Sequence, residues 1–108
     1  MAKVFGIHPF SLKYGVKPED FEQFVKAEAA RLPALKGVTL RILKGDRGDR
    51  EGKYLMLIET DSVELRDQHW PPGTISDEAS LLLAALGKWS RFVEGPGSPI
   101  FTDYVVIE

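Results

Sequence analysis

The chain contains no cysteine among its 108 residues. This absence excludes disulfide bonds, thiolate zinc sites, iron–sulfur clusters and cysteine nucleophiles. An excess of basic residues is missing too, because 14 lysines and arginines face 16 aspartates and glutamates, giving a formal charge of −2. Since nucleic acids and anionic membranes both select a strongly basic face, neither is an expected partner.

Long apolar runs and cofactor motifs are also lacking. The longest apolar stretch, LLLAAL at 81–86, is too short to cross a bilayer, and the N-terminal MAKVFGIHPF has no signal-peptide core. No phosphate-binding glycine loop, Gly-x-Ser-x-Gly elbow or metal-ligand spacing occurs. We expect one cytoplasmic domain over residues 1–108 that carries no cofactor and no metal.

The first half of the sequence predicts a strand, a helix and a second strand. Residues 3–12 alternate loosely, and Pro9 within them favours a sheet edge or a bulge. Pro18 is typical of a first helical turn, and apolar residues at helical spacing continue until Pro33. From Gly37 the apolar period changes to two, which indicates the next strand.

The second half repeats this pattern after the charged hairpin KGDRGDREGKY. Residues 54–60 form the next predicted strand, and Asp61 or Ser62 begins a short helix that ends near His69. Ser76 begins a second helix, whose apolar stripe extends to Val93. Residues 100–107 complete the order β-α-β-β-α-β.

That order is typical of the ferredoxin-like α+β fold, a four-stranded antiparallel sheet with helices on one face. The third strand carries Tyr54, Met56 and Ile58 on one side and Leu55 and Leu57 on the other. Because both sides are apolar, the face without helices is expected to be covered. A second copy of the chain is the simplest partner, since a two-fold surface is self-complementary.

Two segments resemble a known superfamily. KPEDFEQFVKAEAARLPALKGV, at 17–38, is similar to the helix and strand entry of antibiotic-biosynthesis monooxygenase-type members of the dimeric α/β-barrel superfamily. LKGDRGDREGKYLMLIETDSVELRD, at 43–67, resembles a bacterial subgroup without a known activity. The resemblance covers the whole chain and implies two sheets packed face to face, with a cleft between sheet and helices in each subunit.

The two histidines are the candidate catalytic residues. His8 shares a predicted sheet face with Phe10, so it is either a base or haem ligand in the cleft, or a partly buried histidine bonded to backbone. His69 either caps the carbonyls at the end of the short helix or stands at the cleft mouth beside Trp70.

The remaining candidates are ligand-binding residues on neighbouring strands and helices. Arg41 and Glu59 either orient a polar ligand group or form a cross-strand ion pair. Tyr104 either donates a hydrogen bond to a substrate carbonyl or packs in the dimer. Tyr54 and Trp89 complete the expected aromatic lining, together with Phe10 and Trp70.

These patterns, together with what the resemblance implies, leave three possible functions. The first is a homodimer, formed through the open sheet face, that binds a small apolar or aromatic ligand. The second is a cofactor-independent monooxygenase or isomerase acting on an aromatic or polyketide-like substrate, with His8 or His69 moving a proton and Arg41 or Tyr104 stabilising an enolate. The third is a purely structural dimer, which needs no cavity of ligand size.

Overall fold

The computed structural model describes residues 2–94 and 101–107. The strands are β1 Val4–Leu12, β2 Val38–Lys44, β3 Tyr54–Thr60, β4 Val93–Glu94 and β5 Thr102–Val105. The α-helices are α1 Pro18–Glu28, α2 Val63–His69 and α3 Asp77–Leu86, and short 3-10 turns extend α1 over Ala29–Arg31 and α3 over Gly87–Arg91. The predicted α+β class and the order of the main elements are confirmed.

The strands form one antiparallel sheet in which β3 lies between β2 and β1. The other edge of β1 is shared: β5 pairs with Val4–Ile7, and β4 pairs with Ser11 and Leu12. The sequence predicted four strands, and the described part of the chain has five. The helical stripe expected to reach Val93 ends at Leu86, and after the 3-10 turn the chain is free to pair Val93 with β1.

Local signals in the sequence set the helix boundaries. Pro18 stands at the start of α1. The Ser62 hydroxyl accepts a hydrogen bond from the Leu65 N–H at 3.1 Å, and the Ser76 hydroxyl accepts one from the Ala79 N–H at the same distance. Both serines satisfy an N–H group that has no partner within its helix. Within the described ranges, no helix is long and apolar enough to cross a membrane.

The helices pack on one face of the sheet, where the core lies. Phe21 of α1 is fully buried against Tyr54, Trp89 and Val93. A second buried group, formed by Leu35, Ala79 and Leu82, packs beside it. Because side chains alternate along a strand, the residues of β1 and β3 that face this core are every second one.

The alternate residues of the same strands point to the opposite side of the sheet. We call this side the open face and define it by its apolar residues, which are Phe5, Ile7, Leu43, Leu55, Leu57 and Tyr104. Leu43 is 41% exposed and Tyr104 is 58% exposed. The apolar character predicted for both sides of the third strand is therefore present in the structure.

Candidate functional site

A cleft of about 810 Å³ lies between the helix-facing side of the sheet and helices α2 and α3. Side chains of β1 and β3 form its floor, including His8, Phe10, Met56 and Ile58. Its opposite wall comes from the helical half of the chain, through Trp70, Leu83, Leu86 and Trp89.

Strand alternation and register place His8 in this cleft. His8 has the same parity along β1 as Val4, Gly6 and Phe10, all of which line the cleft. The antiparallel register sets His8 opposite Met56. The imidazole therefore lies in the floor of the cleft, on the strand that has β3 on one side and β5 on the other.

A small polar cluster lies in the cleft, where β5 pairs with β1. We define it as His8, Arg66, Asp67 and Asp103, which all line the cleft. The Arg66 guanidinium donates from Nη1 to Asp103 Oδ2 and from Nε to Asp67 Oδ1, both at 2.9 Å. The bond to Asp103 joins α2 to β5.

Gly6 allows His8 and Asp103 to come close together. A Cβ atom on Gly6 would lie 2.9 Å from Asp103 Oδ1 and 3.2 Å from His8 Nε2. A glycine inside a strand often marks a place where other groups approach the backbone closely. The carboxylate oxygen that does not bond Arg66 and the imidazole nitrogen thus flank the same point above the Gly6 backbone.

The surroundings of His8 favour the neutral form of its imidazole. Its ring stacks on Phe101, with 5.1 Å between ring centroids and 13° between the planes. Burial lowers the pKa of His8, and the negative charge of Asp103 opposes this shift only in part. At neutral pH the imidazole is therefore uncharged, with one ring nitrogen able to accept a hydrogen bond or a proton.

The structure brings four of the predicted site residues together in the cleft, namely His8, Phe10, Trp70 and Trp89. His69 is not among the residues that line it. The His69 ring is buried, with Nδ1 3.4 Å from the Ser76 hydroxyl and Nε2 3.3 Å from the Lys36 carbonyl oxygen. The ring thus ties the end of α2 to the start of α3 and to the turn before β2.

Tyr54 lies on the same sheet face but lines a separate pocket of about 250 Å³ beside α1. Its hydroxyl donates a short hydrogen bond to the Glu22 carboxylate, which also accepts one from Lys44 Nζ at 2.9 Å. Burial, together with the bond to Glu22, raises the pKa of Tyr54 to about 12. Tyr54 therefore stays protonated and links the sheet to α1.

Arg41, Glu59 and Tyr104 lie on the side of the sheet opposite the cleft. Arg41 stands opposite Leu57 in the β2–β3 register, whereas Glu59, two residues further along β3, stands opposite Thr39. The Glu59 carboxylate accepts a hydrogen bond from Lys3 Nζ at 2.9 Å, which lowers the pKa of Glu59. The sequence suggested an ion pair between Arg41 and Glu59. In the structure Glu59 pairs with Lys3, the residue before β1, because the register does not set Arg41 directly opposite Glu59.

Sequence reasoning did not single out Gly6 or Arg66 as site residues. Gly6 carried a usable signal, since glycine is unusual inside a strand with β-branched and aromatic neighbours. Arg66 carried none, because a charged residue on a short helix is usually solvated. In residues 2–94 and 101–107, no group of three or more metal-ligating side chains is placed to hold a metal ion.

Comparisons with known proteins support the fold. No protein-family model matches the sequence, and no curated protein matches it. Among solved structures, the chain is similar to a DABB family protein with a ferredoxin-like fold from Mesorhizobium loti, with a TM-score of 0.57 and 15% sequence identity. The match covers 100% of this chain and 98% of that chain. The ferredoxin-like fold predicted from the sequence is therefore confirmed.

Proposed function

We propose that residues 1–108 form a single domain that binds a small apolar or aromatic ligand in the cleft and works as a homodimer. The cleft itself is the observation that carries this proposal. Its volume of about 810 Å³ falls within the roughly 300–1,000 Å³ typical of small-molecule sites. A purely structural dimer, the third possibility, gives no reason for a cleft of this size.

The chemistry of the walls favours a flat apolar ligand. Trp70 and Trp89 line the cleft together with Met56, Ile58 and Leu86. Aromatic side chains offer large apolar surfaces, and each square ångström of apolar surface removed from water contributes roughly 25 cal/mol. Because the cleft combines these apolar walls with the polar cluster, a ligand with one polar group and an apolar body fits this arrangement.

The neutral fluorophore N-phenyl-1-naphthylamine tests ligand binding, because its emission rises in apolar surroundings. Two leucines of α3 give a matched pair of variants: Leu83 lines the cleft and is 49% exposed, whereas Leu81 is 63% exposed and does not line it. We expect saturable binding, weakened about tenfold by Leu83→Glu, or about 1.4 kcal/mol, and unchanged by Leu81→Glu. Equal effects of the two variants, or no saturable signal, would contradict the proposal.

The open face supports the homodimer. Its apolar residues come from four strands, and two of them, Leu43 and Tyr104, are well exposed. A two-fold axis would pack this face against its own copy and remove apolar surface of both copies from water. Sedimentation equilibrium measures the outcome directly. We expect a dimer that Leu43→Glu shifts toward monomer and Leu81→Glu leaves intact, whereas a monomeric wild-type protein at micromolar concentration would refute the homodimer.

The position of His8 favours a second candidate function. A neutral imidazole in the cleft, close to a carboxylate that an arginine holds in place, is suited to remove a proton from a bound aromatic compound. This arrangement supports a cofactor-independent monooxygenase or isomerase acting on an aromatic or polyketide-like substrate. Oxygen uptake with 1,4-dihydroxynaphthalene, above the rate without protein and lost in His8→Gln, would favour the monooxygenase. Uptake equal in both proteins would count against it.

A further inference from the structure

We propose that the polar cluster selects ligands by charge, so that the cleft binds neutral aromatic compounds with a hydrogen-bond donor and discriminates against carboxylates and other anions. This inference rests on the proposed ligand-binding function and adds the chemical class of the ligand. Two observations carry it. The first is the charge on each side chain of the cluster, and the second is which of their hydrogen-bonding atoms already bond another residue of the cluster.

The cluster contains one cation and two anions. The Arg66 guanidinium bonds both Asp67 and Asp103 at 2.9 Å, so its positive charge is already opposed by two carboxylates. The side chains of Arg66 and Asp103 are each only 29% exposed, whereas Asp67 is 57% exposed. Because solvent screens partly buried charges less than exposed ones, Asp103 is the carboxylate that an incoming anion would experience most strongly.

The groups that face the cleft beside Gly6 accept hydrogen bonds. Asp103 bonds Arg66 through Oδ2, which leaves Oδ1 directed toward the Gly6 and His8 side. His8 contributes a neutral imidazole, whose unprotonated nitrogen is an acceptor. A ligand hydroxyl or amine can donate to either acceptor, while a ligand carboxylate has no proton to donate and meets a second carboxylate at close range.

Burial supports this picture because it keeps His8 uncharged. Desolvation lowers the pKa of His8, and the negative charge of Asp103 acts in the opposite direction with the smaller effect. The remaining cluster members, Arg66 and Asp67, come from α2 and bond each other. At neutral pH the cluster therefore keeps more negative than positive charge.

Three compounds of similar size that share the naphthalene ring system test the inference. The assay measures how well naphthalene, 2-naphthol and 2-naphthoate displace N-phenyl-1-naphthylamine at neutral pH. We expect 2-naphthol to bind most tightly and 2-naphthoate to bind about tenfold more weakly than 2-naphthol, or about 1.4 kcal/mol. Naphthalene should lie between them, because it neither donates a hydrogen bond nor carries a charge.

Two variants assign the discrimination to Asp103. Asp103→Asn removes the charge but keeps a carbonyl oxygen that can accept from Arg66, so we expect the gap between 2-naphthol and 2-naphthoate to fall below about threefold, or about 0.65 kcal/mol. Asp46→Asn removes the same charge from the exposed hairpin after β2 and should leave the gap unchanged. Thermal melting of Asp103→Asn verifies that the variant is folded.

The outcomes separate this inference from the function on which it rests. If naphthalene displaces the fluorophore but 2-naphthoate binds as tightly as 2-naphthol, the charge selection is wrong and the ligand-binding proposal stands. If Asp103→Asn and Asp46→Asn change the gap equally, the discrimination comes from overall charge and the role of Asp103 is refuted. If the fluorophore itself does not bind, both proposals fail.

Discussion

Replacing Gly6 with alanine tests the close approach of His8 and Asp103. Gly6 does not have a positive φ, so alanine can adopt its backbone conformation. The added methyl group would lie 2.9 Å from Asp103 Oδ1 and 3.2 Å from His8 Nε2. Contacts this short require at least the Asp103 carboxylate to move, and that carboxylate is held by Arg66.

Three contributions set the size of the effect. Overpacking costs about 1 kcal/mol here, at the low end of its usual range, because the displaced atoms are side-chain ends. Weakening the partly exposed Arg66–Asp103 ion pair adds about 0.5 kcal/mol. The smaller conformational freedom of alanine in the unfolded chain offsets about 0.7 kcal/mol. We expect Gly6→Ala to lower the free energy of unfolding by about 0.8 kcal/mol.

Gly87 provides the matched control. Its φ of −58° is helical, and a Cβ atom there would meet nothing within 4 Å. Gly87→Ala should therefore raise the free energy of unfolding by about 0.4–1 kcal/mol. Urea unfolding at one fixed protein concentration measures both variants. Opposite signs are the expected result, and an equal increase in both variants would show that His8 and Asp103 do not crowd the Gly6 backbone.

Three further predictions concern single side chains. Tyr54→Phe removes the hydroxyl bonded to Glu22 and should lower the free energy of unfolding by about 1 kcal/mol. In an ultraviolet titration the variant should also lose the ionisation step near a pKa of about 12. A step that persists in the variant would belong to another tyrosine. Ser62→Ala removes the cap on the Leu65 N–H and should cost about 1 kcal/mol in urea unfolding, whereas Ser62→Asp should retain most of the stability. Burial lowers the pKa of His8 below 6.5 in the folded protein, so the unfolded chain binds this proton more readily. The contribution of His8 to the free energy of unfolding should therefore be complete above pH 6.5 and should fall as the pH drops toward the folded-state pKa. His8→Gln should flatten this part of the plot of unfolding free energy against pH. An unchanged slope would show that His8 does not cause the pH dependence.

The elements that depend on local sequence were predicted well. The third strand runs over Tyr54–Thr60 as its composition indicated, and Ser62 and Ser76 cap α2 and α3. Strand alternation also assigned His8 and Phe10 to one face, which the structure shows to be the cleft side. These features succeed because capping, turn formation and alternation involve residues only a few positions apart.

Features that depend on distant residues were not predictable from the pattern. The predicted apolar stripe of α3 extended to Val93, but that residue lies in β4 and pairs with Leu12 of β1, a contact that only the assembled sheet provides. The ion pair between Arg66 and Asp103 joins residues 37 positions apart. It exists because β5 pairs with β1, and no local periodicity specifies which strands become neighbours.

Nuclear magnetic resonance with 2-naphthol tests the ligand-binding cleft most directly. The chain has two tryptophans, and both Trp70 and Trp89 line the cleft, so the two indole N–H signals report on its occupancy. We predict that both signals shift on titration with one common dissociation constant, and that Leu83→Glu weakens binding while Leu81→Glu does not. Indole signals that stay fixed, while backbone signals of the open face shift, would contradict the cleft as the binding site.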